Sequence, residues 1–474
     1  MLDKNAEGLH RGLKERHIQL IAIGGAIGVG LFLGSATAIK TAGPALALSY
    51  LIGGVAIFII MRALGELAVA YPVAGSFSAY ANAFLGPLAG HVTGWTYWFM
   101  WVVTCMAEIT AVGIYVQFWL PQVPQWIPAL IALVAMTLVN LINVKAYGEF
   151  EFWFALIKVV TIIAMIVLGA GMIFFGFGNQ GVPVGISNLW SHGGFFPHGF
   201  SGVVMALVMV MFAYLGVELI GVTAGEAQNP EKIIPAAIDK VLWRILIFYV
   251  GALLVIMSIY PWNEIGTKGS PFVLTFSKIG IPAAAGIINF VVMTAALSSC
   301  NSGLFSTGRM LYNLALQKNA PAVFGKLSRP GIPYVGILVS SAFLLVGVVL
   351  NYLVPAKVFI YITSVATIGA LYIWGIILVV QMKFRQSLSP EEFAKVTYRT
   401  PLWPYASWVA LAFLAFVLVL MAFDSGTRVA LYVGPVWFVL AVASYYFFGL
   451  HRRTPECRGV FQPTPAKKIA RKQY

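Results

Sequence analysis

The sequence predicts an all-α integral membrane protein of twelve transmembrane helices, and three observations carry that expectation. Hydrophobic residues make up 60% of the 474 and charged residues 10%, with a mean hydropathy of +0.88, whereas about a quarter of the residues in a soluble domain are charged. A spanning helix needs about 20 apolar residues, and twelve runs near that length follow one another along the chain. The thirty lysines and arginines give a formal net charge of +14 but are sorted by side. Only Lys40, Lys268, Lys278, Lys357 and Arg428 fall on one face, Lys158 lies inside a run, and the rest share the other face with the tails. This is the positive-inside asymmetry, so the basic charge sets topology, with both termini cytoplasmic, and no nucleic-acid partner is expected.

In chain order, a cytoplasmic tail over residues 1–17 precedes spans at 18–39, 44–61, 88–120, 126–144 and 152–177. A second set follows at 200–222, 240–262, 281–305, 332–354 and 357–380, then a last pair at 404–423 and 429–450 and a basic cytoplasmic tail over 451–474. The first run lacks a small-residue cleavage site and exceeds a signal-peptide core, so it reads as an uncleaved helix. Cys105, Cys300 and Cys457 are too scattered for a disulfide framework or a metal cluster and are expected to pack; no cofactor or metal is expected.

The first span is apolar from Ile18 to Ile39, yet Gly24, Gly25, Gly28 and Gly30 crowd its middle. A spanning helix that breaks exposes backbone groups at the midplane, where a small ion or zwitterion can be held. Beyond Gly28 the N–H groups of Val29, Gly30 and Leu31 are expected to lack carbonyl partners, and the positive end of the following half-helix favours a carboxylate. The alternative is that these glycines only let helices pack closely. A faint internal repeat supports the break, since Ile27-Gly28-Val29-Gly30-Leu31-Phe32 in the first span matches Leu215-Gly216-Val217-Glu218-Leu219-Ile220 in the sixth. An inverted five-helix repeat, residues 18–177 against 200–380, would bring the two breaks together, leaving 404–450 outside it.

Further motifs are His10-Arg11-Gly12-Leu13 before the first span, Arg62-Ala63-Leu64-Gly65-Glu66 with Pro72-Val73-Ala74-Gly75-Ser76-Phe77, and Glu149-Phe150-Glu151-Phe152-Trp153-Phe154 leading to Lys158. Gly216-Val217-Glu218, Gly225-Glu226-Ala227-Gln228-Asn229-Pro230 and Gly308-Arg309-Met310-Leu311 complete the set. Together they resemble bacterial amino acid permeases of the amino acid-polyamine-organocation superfamily, over about residues 8 to 450, with threonine/serine and proline permeases nearest in flavour. The resemblance implies a leucine-transporter-type fold, a 5+5 inverted repeat with two peripheral helices, and a secondary active carrier in the bacterial inner membrane. A neutral L-α-amino acid moved by proton symport is the expected cargo. An exchanger, or a histidine or aromatic amino acid permease of the same fold, is the alternative.

The substrate site implied by the resemblance joins Ala26, Ile27, Gly28, Val29 and Gly30 of the first break to Phe212, Ala213, Tyr214 and Leu215 of the sixth span. Carbonyls of Ala26, Phe212, Ala213 and Leu215 would face the substrate ammonium, and Phe212 or Tyr214 would cover its side chain, unless both rings are ordinary core. Ionisable groups inside spans cost several kcal/mol unless paired or wet. Glu108 in the third span is expected to meet the ammonium or carry a proton, and Glu218 to serve proton-dependent gating. Lys158 is expected to donate to first-span carbonyls near Gly25 and Ala26, in place of sodium, with no compensating acid nearby. A structural ion pair or a snorkelling chain is the alternative for each. Thr294, Ser298, Ser299, Cys300, Asn301 and Ser302 could line the path or bond neighbouring helices, and the loop at Gly225 and the Gly308-Arg309 pair are gating or helix-ending candidates. The six histidines lie in tails, loops or at a helix end, and neither a HExxH nor a GxSxG pattern is present, so an enzyme is not expected. A channel would want a polar pore lining. Beyond substrate, protons and lipid, a monomer is expected, with a dimer as the alternative.

Overall fold

The computed structural model describes residues 27–73, 76–142, 144–223, 229–265, 269–278 and 283–452, and among these every regular element is helical. Ala26 with the glycines before it, the N-terminal tail, the loop at 224–228 and the tail from 453 lie outside the described residues. The first half of the chain gives α1 (Val29–Phe32), α2 (Gly34–Ala42), α3 (Leu46–Ala70), α4 (Ser76–Leu85), α5 (Pro87–Val116), α6 (Trp126–Ile142) and α7 (Val144–Phe175). The second gives α8 (Gly199–Ala213), α9 (Leu219–Thr223), α10 (Pro230–Ile259), α11 (Pro271–Lys278), α12 (Ala284–Leu316), α13 (Tyr334–Leu353) and α14 (Val358–Ser387). The short α15 (Pro390–Ala394) leads to α16 (Tyr405–Leu420) and α17 (Arg428–Phe447). Among the described residues, eight helices are long and apolar enough to cross a membrane, with Gly34–Ala70 counted as one, and α6, α8 and α16 are shorter apolar helices.

Several helices overrun their expected bounds. α3 continues to Ala70, α10 begins at Pro230, α12 runs to Leu316 and α14 to Ser387. The overrunning ends carry Arg62, Glu66, Asp239, Arg309 and Arg385, charges that end a hydropathy window but not a helix. The short α4 and α11 were not among the expected elements, because neither is long enough to register as a span.

The centre of the bundle is α5, which packs along α12 and α14. A Cβ on Gly303 would stand 2.3 Å from the Cys105 sulfur, and one on Gly369 would stand 2.8 Å from Met100. Such small-residue contacts hold helices together in lipid, where apolar burial between helices gains nothing over the acyl chains. Cys105 and Cys300 meet here as buried free thiols. The rest of the pattern inverts that of a soluble protein: Ile142, Phe175, Trp243, Tyr352 and Phe447 are exposed on the outside, while Glu66, Glu108, Glu151, Lys158 and Glu218 are buried. With lipid as solvent, the charges must find their partners inside.

Candidate functional site

The half-helix expected beyond the first break starts where the glycines place it, while the near half lies outside the described residues. Gly28 is extended, at φ −126° and ψ −158°, and α1 begins at the next residue. One of the three N–H groups expected to await a ligand is already engaged, Leu31 donating to the Gly28 carbonyl at 3.2 Å, and the Glu108 carboxyl lies beside the start of α1, its Oε1 2.8 Å from where a Cβ on Gly28 would stand. A carboxylate does occupy the positive end of this half-helix, and it belongs to the third span. Gly30 also differs from expectation, because its Cβ position lies 2.5 Å from the Ala213 Cα. It faces the backbone of the sixth span, so its missing side chain serves the contact between the two broken helices.

The second break is the turn between α8 and α9, where Gly216 adopts φ +100°, a left-handed conformation that disfavours any side chain. The turn closes on itself. Leu215 N–H donates to the Phe212 carbonyl at 3.0 Å, and the Tyr249 hydroxyl donates to the Ala213 carbonyl at 3.0 Å. Two of the carbonyls expected to face an ammonium therefore already accept hydrogen bonds, because the unwound turn has re-formed tighter ones. Glu218 caps the same turn, its Oε2 accepting from Gly216 N–H at 3.1 Å. The indoles of Trp101 and Trp374 stand beside its carboxylate, whose Oε1 accepts no hydrogen bond of good geometry.

The two candidate rings part company. Tyr214 donates to the Tyr50 carbonyl at 2.6 Å and packs among Tyr50 and Tyr249, with ring centroids 5.8 and 5.1 Å away. It is a core residue. Phe212 borders a cavity of about 580 Å³ that Thr37, Thr363, Ser364, Lys357 and Asp424 also line.

The acids and the lysine form one buried cluster. Glu108 also accepts from the Ser299 hydroxyl, a Cβ on Gly28 would stand 2.8 Å from its Oε1, and its Oε2 has no partner. Lys158 is fully buried and interacts electrostatically with Glu151 and Glu108. Glu151 overturns the expectation that no acid compensates this lysine. Its Oε2 accepts from Ser298 at 2.8 Å, and it is fully buried. The signal was present in the sequence: positions seven apart lie two helical turns apart on one face, and Glu151 stands seven before Lys158. The carbonyls near Gly25 and Ala26 that Lys158 was expected to meet lie outside the described residues.

Of the eighth-span candidates, Ser298 and Ser302 face Glu151 and Ser299 lies beside Glu108. Thr294 donates back to the Val291 carbonyl at 2.7 Å, and Asn301 accepts from Asn140 at 2.8 Å, so these two serve the helices. Arg309 lies over the Phe305 ring, 3.2 Å from its centroid.

The sequence of this bundle has many relatives. A family model described as amino acid permease matches residues 17–457. The chain belongs to the amino acid permease family. It is 64% identical over 452 residues to the amino acid permease YtnA of Bacillus subtilis, covering 95% of this chain and 98% of that one. It is 52% identical over 446 residues to YbxG of the same organism, named a probable threonine/serine transporter, with 94% and 96% covered. The aromatic amino acid transport protein AroP of Escherichia coli is 46% identical over 444 residues, with 94% and 97% covered. The chain is thus a multi-pass membrane protein of an amino acid transport family.

A second polar cluster of this permease sits at the opposite end from Lys357 and Asp424. Glu66 accepts from Arg385 Nε at 2.5 Å, Gln381 at 3.1 Å, and the Thr400 N–H and hydroxyl, each at 2.7 Å. Beside it, Arg62 pairs with Asp239 at 2.9 Å, and Tyr398 donates to the same aspartate at 2.8 Å. Helices α3, α10 and α14 and the segment before α16 are tied together there. Sequence reading had Arg62 and Glu66 as a motif only, because their partners lie up to 337 positions away.

Proposed function

We propose that this permease is a secondary active carrier that imports a neutral L-α-amino acid with a proton by alternating access. The observation that supports it most is the Glu108 carboxyl beside Gly28 at the start of α1, interacting electrostatically with the buried Lys158. An amino acid brings one carboxylate and one ammonium. Its carboxylate takes the half-helix N-terminus from Glu108, and the freed Glu108 turns to the ammonium, so no charge is left unpaired at any stage. Phe212, between this region and the cavity of about 580 Å³, covers the substrate side chain. The frame of the proposal is twelve spans in the bacterial inner membrane, an inverted pair over 18–177 and 200–380, and both termini cytoplasmic. The cavity then opens outward, because Lys357 lies on the face poor in basic residues.

The substrates printed in the names of YbxG and AroP, threonine, serine and aromatic amino acids, share a neutral net charge. The test is labelled uptake into proteoliposomes under an imposed pH gradient, alkaline inside, with and without sodium, against a competition panel of the twenty amino acids. Accumulation that follows the proton gradient without sodium supports the reading. Uptake that follows sodium and ignores pH sinks it, and counterflow without net uptake makes the protein an exchanger. Lys158→Ala is expected to keep exchange and lose accumulation.

A further inference from the structure

The buried cluster holds two carboxyl groups, Glu108 and Glu151, and one ammonium, Lys158. An uncompensated charge held away from water costs several kcal/mol. The neutral count of such a cluster is therefore one ammonium, one carboxylate and one carboxyl that carries a proton. Which carboxyl carries it is decided by the donors around each.

The Glu108 carboxyl lies at a helix N-terminus, its Oε1 beside Gly28 at the start of α1. The Ser299 hydroxyl beside it can turn either way, but the positive helix end favours an anion, and that tips Glu108 toward the carboxylate. Glu151 meets only hydroxyls on the neighbouring helix, Ser298 at 2.8 Å and Ser302. A hydroxyl turns either way, donating to a carboxylate or accepting from a carboxylic acid. Each carboxyl has one oxygen without a hydrogen bond, Oε2 of Glu108 and Oε1 of Glu151, so both could take a proton and the helix end is what separates them. Of the other helices packed on α7, α6 carries no charged residue, and on α10 Arg244 and Tyr249 interact electrostatically with each other and Tyr249 with Tyr214.

We propose that Glu151 is the residue that holds the transported proton, while Glu108 is left to the substrate. With Glu151 protonated, Glu108 is the cluster's one carboxylate, and Lys158 shares it with the substrate ammonium. When the proton leaves, Glu151 becomes the anion and draws Lys158 along α7, away from the broken helix. The proton thus selects which of two carboxylates the lysine meets, one on α5 and one on α7. This rests on the proton-symport reading above.

The experiment measures labelled substrate and internal pH together in proteoliposomes, the latter with a trapped fluorescent indicator, for wild type and Glu151→Gln. The glutamine keeps the shape and the hydroxyl contacts of a permanently neutral carboxyl. Substrate binding and counterflow are expected within about threefold of wild type, and pH-driven accumulation at least about tenfold lower, with no substrate-linked proton entry. Glu151→Asp, which keeps an acid, is expected to restore proton entry. A Glu151→Gln protein that still accumulates substrate on the pH gradient overturns this assignment alone, whereas a wild type that ignores the gradient overturns the symport reading and the assignment with it. If Glu151→Gln fails to insert, Ser298→Ala decides: a displaced pH profile of uptake with unchanged KM at the wild-type optimum supports the assignment, and an unchanged profile overturns it.

Discussion

Gly30→Ala adds one methyl group where the two broken helices touch. Its Cβ would stand 2.5 Å from the Ala213 Cα and 3.1 Å from the Ala213 Cβ, where ordinary contact begins at 3.4 Å. The obstacle is backbone, so relief requires α1 and α8 to separate by roughly 1 Å, and overpacking of this kind costs about 1–3 kcal/mol. That corresponds to about a 5- to 150-fold change in an equilibrium between conformations. Labelled uptake in proteoliposomes, normalised to inserted protein, should fall by at least tenfold in Vmax, with a lower Tm in detergent. Gly28→Ala is the informative neighbour. Its Cβ meets the far end of the Glu108 side chain at 2.8 Å, which can swing aside, so KM should change more than Tm. Gly375→Ala, which meets only Leu411 at 3.9 Å, should transport as wild type. Wild-type Vmax and Tm in Gly30→Ala would refute the close-contact account of this glycine.

Glu108→Gln keeps shape but removes the charge that caps α1, and should raise the substrate Kd in equilibrium binding by about tenfold or more, since a charge-assisted hydrogen bond contributes about 1.5–3 kcal/mol; unchanged affinity and pH dependence would make Glu108 structural. Phe212→Ala should raise KM for larger side chains, whereas Tyr214→Phe should leave KM alone and lower Tm, because it loses the hydrogen bond to the Tyr50 carbonyl, which keeps its bond within α3, at a cost of about 0.5–1.5 kcal/mol. A KM effect in Tyr214→Phe without a Tm effect would place that ring at the substrate after all. Glu66→Ala leaves the Arg385 guanidinium, its partner at 2.5 Å, buried without a counter-charge, and should cost about 3–5 kcal/mol; full-length protein recovered from membranes at wild-type yield and Tm would contradict that estimate.

The breaks were legible because glycine density in an apolar run has few other causes, and the Ile27–Phe32 and Leu215–Ile220 resemblance pointed to two sites that do touch through Gly30 and Ala213. The ownership of the polar groups was not legible. A sequence places an N–H at a helix start, but whether a ligand or Glu108 caps it depends on how α5 lies against α1. The same holds for the Ala213 carbonyl, which Tyr249 reaches from 36 positions away. Glu151 was missed for a different reason: it lay near the edge of an apolar window, where an acid reads as a helix end, although its spacing from Lys158 was available.

By itself the sequence determined that this is a multi-pass membrane protein, where the half-helix at Val29 begins and where the sixth-span helix breaks, because bilayer thickness and backbone geometry act on local stretches of chain. Tertiary structure alone decided which carboxylate meets the first half-helix, which carboxyl shares Lys158, which aromatic ring borders the cavity and how Glu66 is held. Each of these is a contact between helices far apart in the chain, and in a low-dielectric interior the identity of the nearest partner sets what a buried polar group can do.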